Sequence, residues 1–175
     1  MKEIKFEETG TTIEEHWSKR LGIDLKEVKI EKVENVLTGE NLAKAKRFME
    51  NIATKNNCHY NAGLACDWTF EGYEVTFCDG IVGEWAINHC WNCLTNTKTG
   101  EKRYIDLTLN EEDYAYLFNE WSRKDIWDLF NTCKYAFIPH REMWQWLDKN
   151  KKTRKLYNKY YPNCSRVQRV AVNSR

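Results

Sequence analysis

Asn57-Cys58-His59-Tyr60-Asn61-Ala62, Asn88-His89-Cys90-Trp91 and Tyr104-Ile105-Asp106-Leu107-Thr108 are the segments on which the reading of this chain turns. Lys55-Asn56-Asn57 interrupts the apolar periodicity ahead of them, and Asn57 is a good helix N-cap. The spacing predicts a helix from Cys58 to about Trp68, with Ala62, Leu64 and Ala65 packing. Cys58 then sits in the first turn, where unpaired N–H groups and the positive end of the helix dipole draw a thiol toward the thiolate. The plainer alternative is a small buried cysteine that happens to begin a helix.

After Gly72 the period changes to alternation. Tyr73, Val75 and Phe77 point one way, Glu74, Thr76 and Cys78 the other, and Asp79-Gly80 reads as a turn. Two further strands are expected over 86–94 and 102–109, joined as an antiparallel hairpin by the polar loop 96–100. A loop centred between Thr97 and Lys98 sets Leu94 across from Glu101, Trp91 across from Tyr104, and His89 across from Asp106. Opposed side chains on one face have Cβ atoms about 4.5–5.5 Å apart, close enough for a carboxylate to meet an imidazole. Ile87, His89, Trp91 and Cys93 share that face, and a one-residue slip would break the pairing.

A cysteine nucleophile needs a base to take its proton, and the base needs a partner that fixes its tautomer. Cys58, His89 and Asp106 supply these three groups from three successive elements, with Trp91 and Tyr104 lining the site. The backbone N–H of Cys58 is one candidate oxyanion donor, and Asn51, Asn56 or Asn57 are the side-chain candidates. Taken singly, His89 reads as a satisfied structural histidine and Asp106 as a strand-end cap for the turn at Thr108. Their joint occurrence points to catalysis.

A cysteine at a helix start, then His89-Cys90-Trp91 on a strand, then an aromatic-Ile-Asp-x-Thr strand over 104–108, resembles the transglutaminase-like branch of the papain-like superfamily. The small bacterial and phage-type members are the nearest in character. The resemblance covers about a third of the chain, residues 57–109. It departs from the family at Leu107, where relatives often have proline, and at His59, where many have an aromatic. It implies an α+β fold: a papain-like/transglutaminase-like helix carrying the Cys, packed on a central antiparallel sheet, with additional N- and C-terminal helices. It also implies thioester chemistry on a protein, peptide or other amide substrate, by hydrolysis or by transfer, with no cofactor and no metal.

Outside this stretch, Thr12-Ile13-Glu14-Glu15 is a capping box opening a helix with Ile13, Trp17 and Leu21 on one face and a stop at Gly22. Thr38-Gly39 opens a second helix whose apolar face is Leu42, Ala45, Met49 and Ile52, while Val28 and Ile30 alternate weakly between the two. Asn110 to Asp113 reads as a helix start followed by Tyr114, Leu117, Phe118 and Trp121. Ser122 to Asp125 can restart a helix with Ile126, Leu129, Phe130 and Cys133, and Pro139 opens a last one with Met143, Trp144, Leu147 and Leu156. The expected organisation is a single domain over 1–175, with a catalytic core at 57–109, C-terminal helices at 110–164 and a frayed end at 165–175.

Composition narrows the partners. The chain has 175 residues, 42% of them hydrophobic and 30% charged, enough for a real core without staples. No apolar run is long enough to span a bilayer, and the first eight residues show no signal-peptide core, so a cytoplasmic protein is expected. Residues 141–175 hold ten Lys/Arg against two acids, whereas the whole chain is only +1, leaving −7 on residues 1–140. The basic 149–159 stretch with its tyrosines could meet nucleic acid, but a solvated helix face is the plainer reading. Seven cysteines suit buried thiols or a nucleophile in a reducing compartment. Cys90-Trp91-Asn92-Cys93 has zinc spacing, yet on a strand its two thiols face opposite sides and no second close-spaced pair exists. A non-catalytic interaction module on the same frame, using the basic tail, is the third alternative.

Overall fold

The alternation after Gly72 does form strands, but the sheet they belong to closes on itself. A computed structural model describes residues 12–83, 87–133 and 151–161. Among them run α1 (Ile13–Leu21), β1 (Lys26–Glu31), α2 (Val33–Val36), α3 (Gly39–Asn51), α4 (Cys58–Ala65), β2 (Tyr73–Val82), β3 (Ile87–Asn96), β4 (Lys102–Ile105), β5 (Asp113–Trp121), α5 (Arg123–Cys133) and α6 (Lys151–Tyr160). The strands make a closed barrel in the order β1-β4-β3-β2-β5. β1 pairs parallel with β4 and antiparallel with β5, and the other neighbours are antiparallel. The expected open papain-like sheet is therefore wrong, because β1 and β5 add a mixed closure.

β5 replaces the helix expected from Asn110 onward. Asp79 pairs with Asn119 and Gly80 with Leu117, so Phe118 is an extra residue that bulges the strand. The bulge switches faces: Ala115 and Leu117 point into the barrel, Phe118 and Trp121 out of it. Asp79-Gly80 is likewise no turn but mid-strand in β2. A Cβ on Gly80 would lie 2.2 Å from the Tyr116 carbonyl oxygen and 2.6 Å from the Trp91 ring. Glycine is required there because the indole fills the barrel.

Two cores result. Val28, Ile30, Cys78, Trp91, Cys93, Tyr104, Ala115 and Leu117 fill the interior. A larger cluster, including Phe48, Ala62, Phe77, Leu94, Trp121 and Ile126, lies between the outer barrel face and the helices. The capping box at Thr12 forms, with Glu15 N–H donating to Thr12 Oγ1 at 3.1 Å and Thr12 N–H to Glu15 Oε2 at 3.0 Å. On α3 the buried residues are Ala45 and Phe48, Leu42 and Met49 pack partly, and Ile52 is exposed at the cap. The expected helix with Pro139, Met143, Trp144 and Leu147 falls outside the described residues, as does 165–175, but Leu156 packs from α6.

One end of the barrel gathers the site. Val82 pairs with both Ile87 and Ala115, Ile30 with Asp113, and Glu31 with Ile105. The C-terminal ends of β1, β2 and β4 therefore meet the N-terminal ends of β3 and β5. We call this end the mouth.

Candidate active site

His89 and Asp106 come together at the mouth, by a register other than the expected one. Tyr104 lies opposite Cys93, not Trp91, and Arg103 opposite Leu94, a displacement of two residues. The loop is the cause. Asn96 N–H donates to the Glu101 carbonyl at 2.8 Å, Asn96 Oδ1 accepts from the amides of Lys98 and Thr99, and Gly100 turns back at φ 74°. The turn is thus centred between Lys98 and Thr99. Because the displacement is even, facing is preserved and the two side chains meet on a diagonal. His89 Nε2–H donates to Asp106 Oδ2 at 2.8 Å, with both side chains buried. Asp106 Oδ1 accepts the Thr108 N–H at 2.7 Å. The carboxylate thus binds the imidazole and caps the turn at once.

Cys58 opens α4 as the sequence predicts, with Asn57 as N-cap but without a capping side-chain bond. α4 lies on β3, where the buried Asn92 amide donates to the Ala62 carbonyl at 2.9 Å. The half-buried Cys58 sulfur lies 3.6 Å from His59 Nδ1, and Cys58 packs against the cluster that holds Cys90. The Cys90 contact first, and then the two imidazoles, outweigh burial and hold the thiol far below its ordinary range. Burial works against a charged His89, but its bonds to Asp106 and Cys58 prevail and raise the ring well above neutrality. Both shifts favour the thiolate and imidazolium forms of the pair. With Nε2 given to Asp106, Nδ1 is the ring nitrogen left to face sulfur. Burial does the opposite to other thiols: Cys66 is pushed up to about 12, and Cys78 and Cys90 are raised well above the ordinary thiol range.

Asn61, fully buried, ties this helix to the acid. Its amide donates to the Thr54 carbonyl at 2.8 Å and to Thr108 Oγ1 at 3.1 Å, and its oxygen accepts the Thr54 N–H at 2.9 Å. The turn that Asp106 caps is therefore anchored to the helix that Cys58 begins.

Trp91 lies wholly inside the barrel, its ring 6.4 Å from that of His89 and nearly parallel, so it floors the site from within. Tyr104 also turns into the interior, donating to Glu120 Oε1 at 3.0 Å. Asn51 is exposed and its amide is committed to the Arg47 carbonyl at 3.0 Å. Asn56 is exposed at φ 61°, and Asn57 stands beside Cys58. Cys90 and Cys93 pack in different clusters on opposite faces of β3. Among the described residues no three His, Cys, Asp or Glu side chains are grouped to hold a metal.

Sequence reasoning gave His59, Cys90 and Asn61 no part in the catalytic site. Neighbouring residues on a helix do not ordinarily face each other, which hid His59. Alternation put Cys90 opposite to His89, and only the packing of α4 on β3 restores it to the site. No family model, curated protein or solved structure matches this chain.

Proposed function

We propose that the chain is a cysteine-dependent amide hydrolase or acyl transferase that works through a thioester on Cys58. The observation that supports this is the arrangement at the mouth, in which His89 is held by Asp106 at 2.8 Å and favours the charged form of a helix-start thiol. The Cys58 thiolate attacks the amide carbonyl carbon. Helix geometry leaves the first N–H groups of α4 without intrahelical acceptors, so the Cys58 N–H is placed to receive the developing oxyanion. His89 gives its Nδ1 proton to the departing amine, and then takes one from water or an acceptor amine that attacks the thioester. Asp106 fixes the ring by Nε2 throughout.

A reducing, cytoplasmic setting belongs to this proposal, since the nucleophile must stay a thiol; Cys58, Cys66, Cys78, Cys90 and Cys93 are all unpaired by disulfides. No described helix is long and apolar enough to cross a membrane. A protein or peptide amide is the substrate class. The basic stretch is a weak platform for bases, because Tyr160 stacks on Trp121 and Tyr161 is buried.

The test is turnover of a panel of peptide amides, with intact-mass detection of an acyl adduct. An adduct on Cys58 with the wild-type chain, lost in Cys58→Ala and His89→Ala while thermal unfolding is unchanged, is the expected result. Equal turnover by Cys58→Ala would end the proposal. A folded wild-type chain that forms no adduct with any amide would make the cluster structural.

A further inference from the structure

The Asn92–Ala62 bond fixes how α4 sits on β3. Four residues back along the helix, about 6 Å of rise, is Cys58. Two residues back along the strand on the same face, about 6.7 Å, is Cys90. The steps match, and Cys58 packs against the cluster that holds Cys90. They differ in every other respect. Cys58 is half-buried at a helix start beside two imidazoles, whereas Cys90 is 1% exposed and packed in the outer core. Cys90 also pairs across β2 with Asp79, a buried carboxylate that accepts from Trp121 and Tyr161. One sulfur is therefore accessible and anionic. The other is sheltered and protonated, in the cluster against which the first packs.

We propose that Cys58 and Cys90 are a peroxide-sensitive pair, in which a hydroperoxide oxidises Cys58 and Cys90 resolves the product to a disulfide. In the first step the Cys58 thiolate attacks the terminal peroxide oxygen. The O–O bond breaks, sulfur is oxidised to the sulfenic acid, and the departing alkoxide or hydroxide takes a proton from His89. In the second, the Cys90 sulfur attacks the Cys58 sulfur. An S–S bond forms, the S–O bond breaks, and oxygen leaves as water with the Cys90 proton. The bond brings the two sulfurs to about 2.05 Å. The disulfide removes the nucleophile and fastens α4 to β3, so amide chemistry stops until a thiol reductant restores it. Cys78 and Cys93 serve as an internal control, because both lie inside the barrel where peroxide does not reach.

The experiment treats the full chain with hydrogen peroxide near stoichiometry, blocks free thiols, and maps masses without reduction. The expected product is a Cys58–Cys90 peptide pair lighter by two hydrogens, with iodoacetamide labelling of Cys58 down roughly tenfold and restored by dithiothreitol. In Cys90→Ser the sulfenic acid has no resolving partner, so Cys58 proceeds to the sulfinic acid, which dithiothreitol does not recover. Wild-type chain that goes directly to sulfinic acid, cross-links other cysteines instead, or leaves Cys58 unmodified overturns the pair. The readout needs no amide turnover. An amide-inert chain that still forms the disulfide keeps the pair and loses the acyl-transfer reading.

Discussion

At the scale of single residues, Cys58 should behave unlike every other thiol of the chain. Its hydrogen-bond partners hold it as thiolate well below pH 7, so lowering pH does not reprotonate it until far into the acid range, whereas an ordinary thiol near pKa 8.5 loses about tenfold in thiolate per pH unit below that value. Iodoacetamide labelling followed by mass mapping should show Cys58 modified first, at a rate that changes by less than about threefold from pH 8 to 6. A steep fall over that interval would show that the imidazole contacts do not ionise it. Asp106→Asn separates the two bonds of one carboxylate. The amide oxygen can still accept the Thr108 N–H, but a neutral group no longer balances the His89 imidazolium. The expected loss is roughly tenfold to a hundredfold in turnover, about 1.4–2.7 kcal/mol of barrier, with little change in melting temperature. Full turnover in Asp106→Asn would leave a Cys–His dyad. This much of the site was legible in the sequence, since residue type, order and parity along the strands are enough to nominate Cys58, His89 and Asp106. His59, Cys90 and Asn61 were not legible, because their parts depend on how a helix packs on a strand.

At the scale of elements, the misreading of β5 has a physical origin. A strand with a bulge buries Leu117 on one face and Phe118 and Trp121 on the other, and with Tyr114 these fall at i, i+3, i+4 and i+7, the spacing of one side of a helix. Periodicity alone cannot tell the two apart. Partners can, since β5 is paired along both edges. The same ladder explains Gly80, whose missing side chain makes room for the Trp91 ring and the Tyr116 backbone. Gly80→Ala is expected to destabilise the fold by about 2–4 kcal/mol in urea denaturation, since backbone cannot yield as a flexible side-chain tip would. A loss below that range would mean the barrel adjusts more readily than its packing suggests. Asn61→Ala offers a second test at this scale. It leaves the Thr54 N–H and carbonyl without their buried partner, at a cost of about 1–3 kcal/mol. It should also slow Cys58 alkylation, because α4 loses its tie to Thr108; an unchanged rate would reduce Asn61 to scaffold.

For the whole molecule, α6 returns the chain to its middle. Tyr161 OH donates to Asp79 Oδ2 at 2.6 Å beside Trp121 Nε1 on Oδ1, and Lys159 and Tyr160 both reach Asp125. Tyr160 and Tyr161, which looked in sequence like a surface feature, are internal ties. Tyr161→Phe removes one donor from a carboxylate only 2% exposed, and is expected to lower stability by about 1–3 kcal/mol in thermal or urea unfolding, with the rate of Cys58 alkylation unchanged. Little effect would show that Asp79 is satisfied without the C-terminal helix.

The closure of the barrel by β1 also sets an order of events in time. β2, β3 and β4 pair with their neighbours in sequence, while β1 must find β4 and β5 far along the chain. Contacts between distant segments carry the larger loop-closure entropy and form slowly. His89 and Asp106 both belong to the local meander, so the histidine and its carboxylate can meet before the barrel is shut. The cysteine joins them only when α4 docks. A nascent chain would then hold its base and acid ready while the reactive sulfur is still unaddressed, and would acquire its chemistry as a late consequence of assembly.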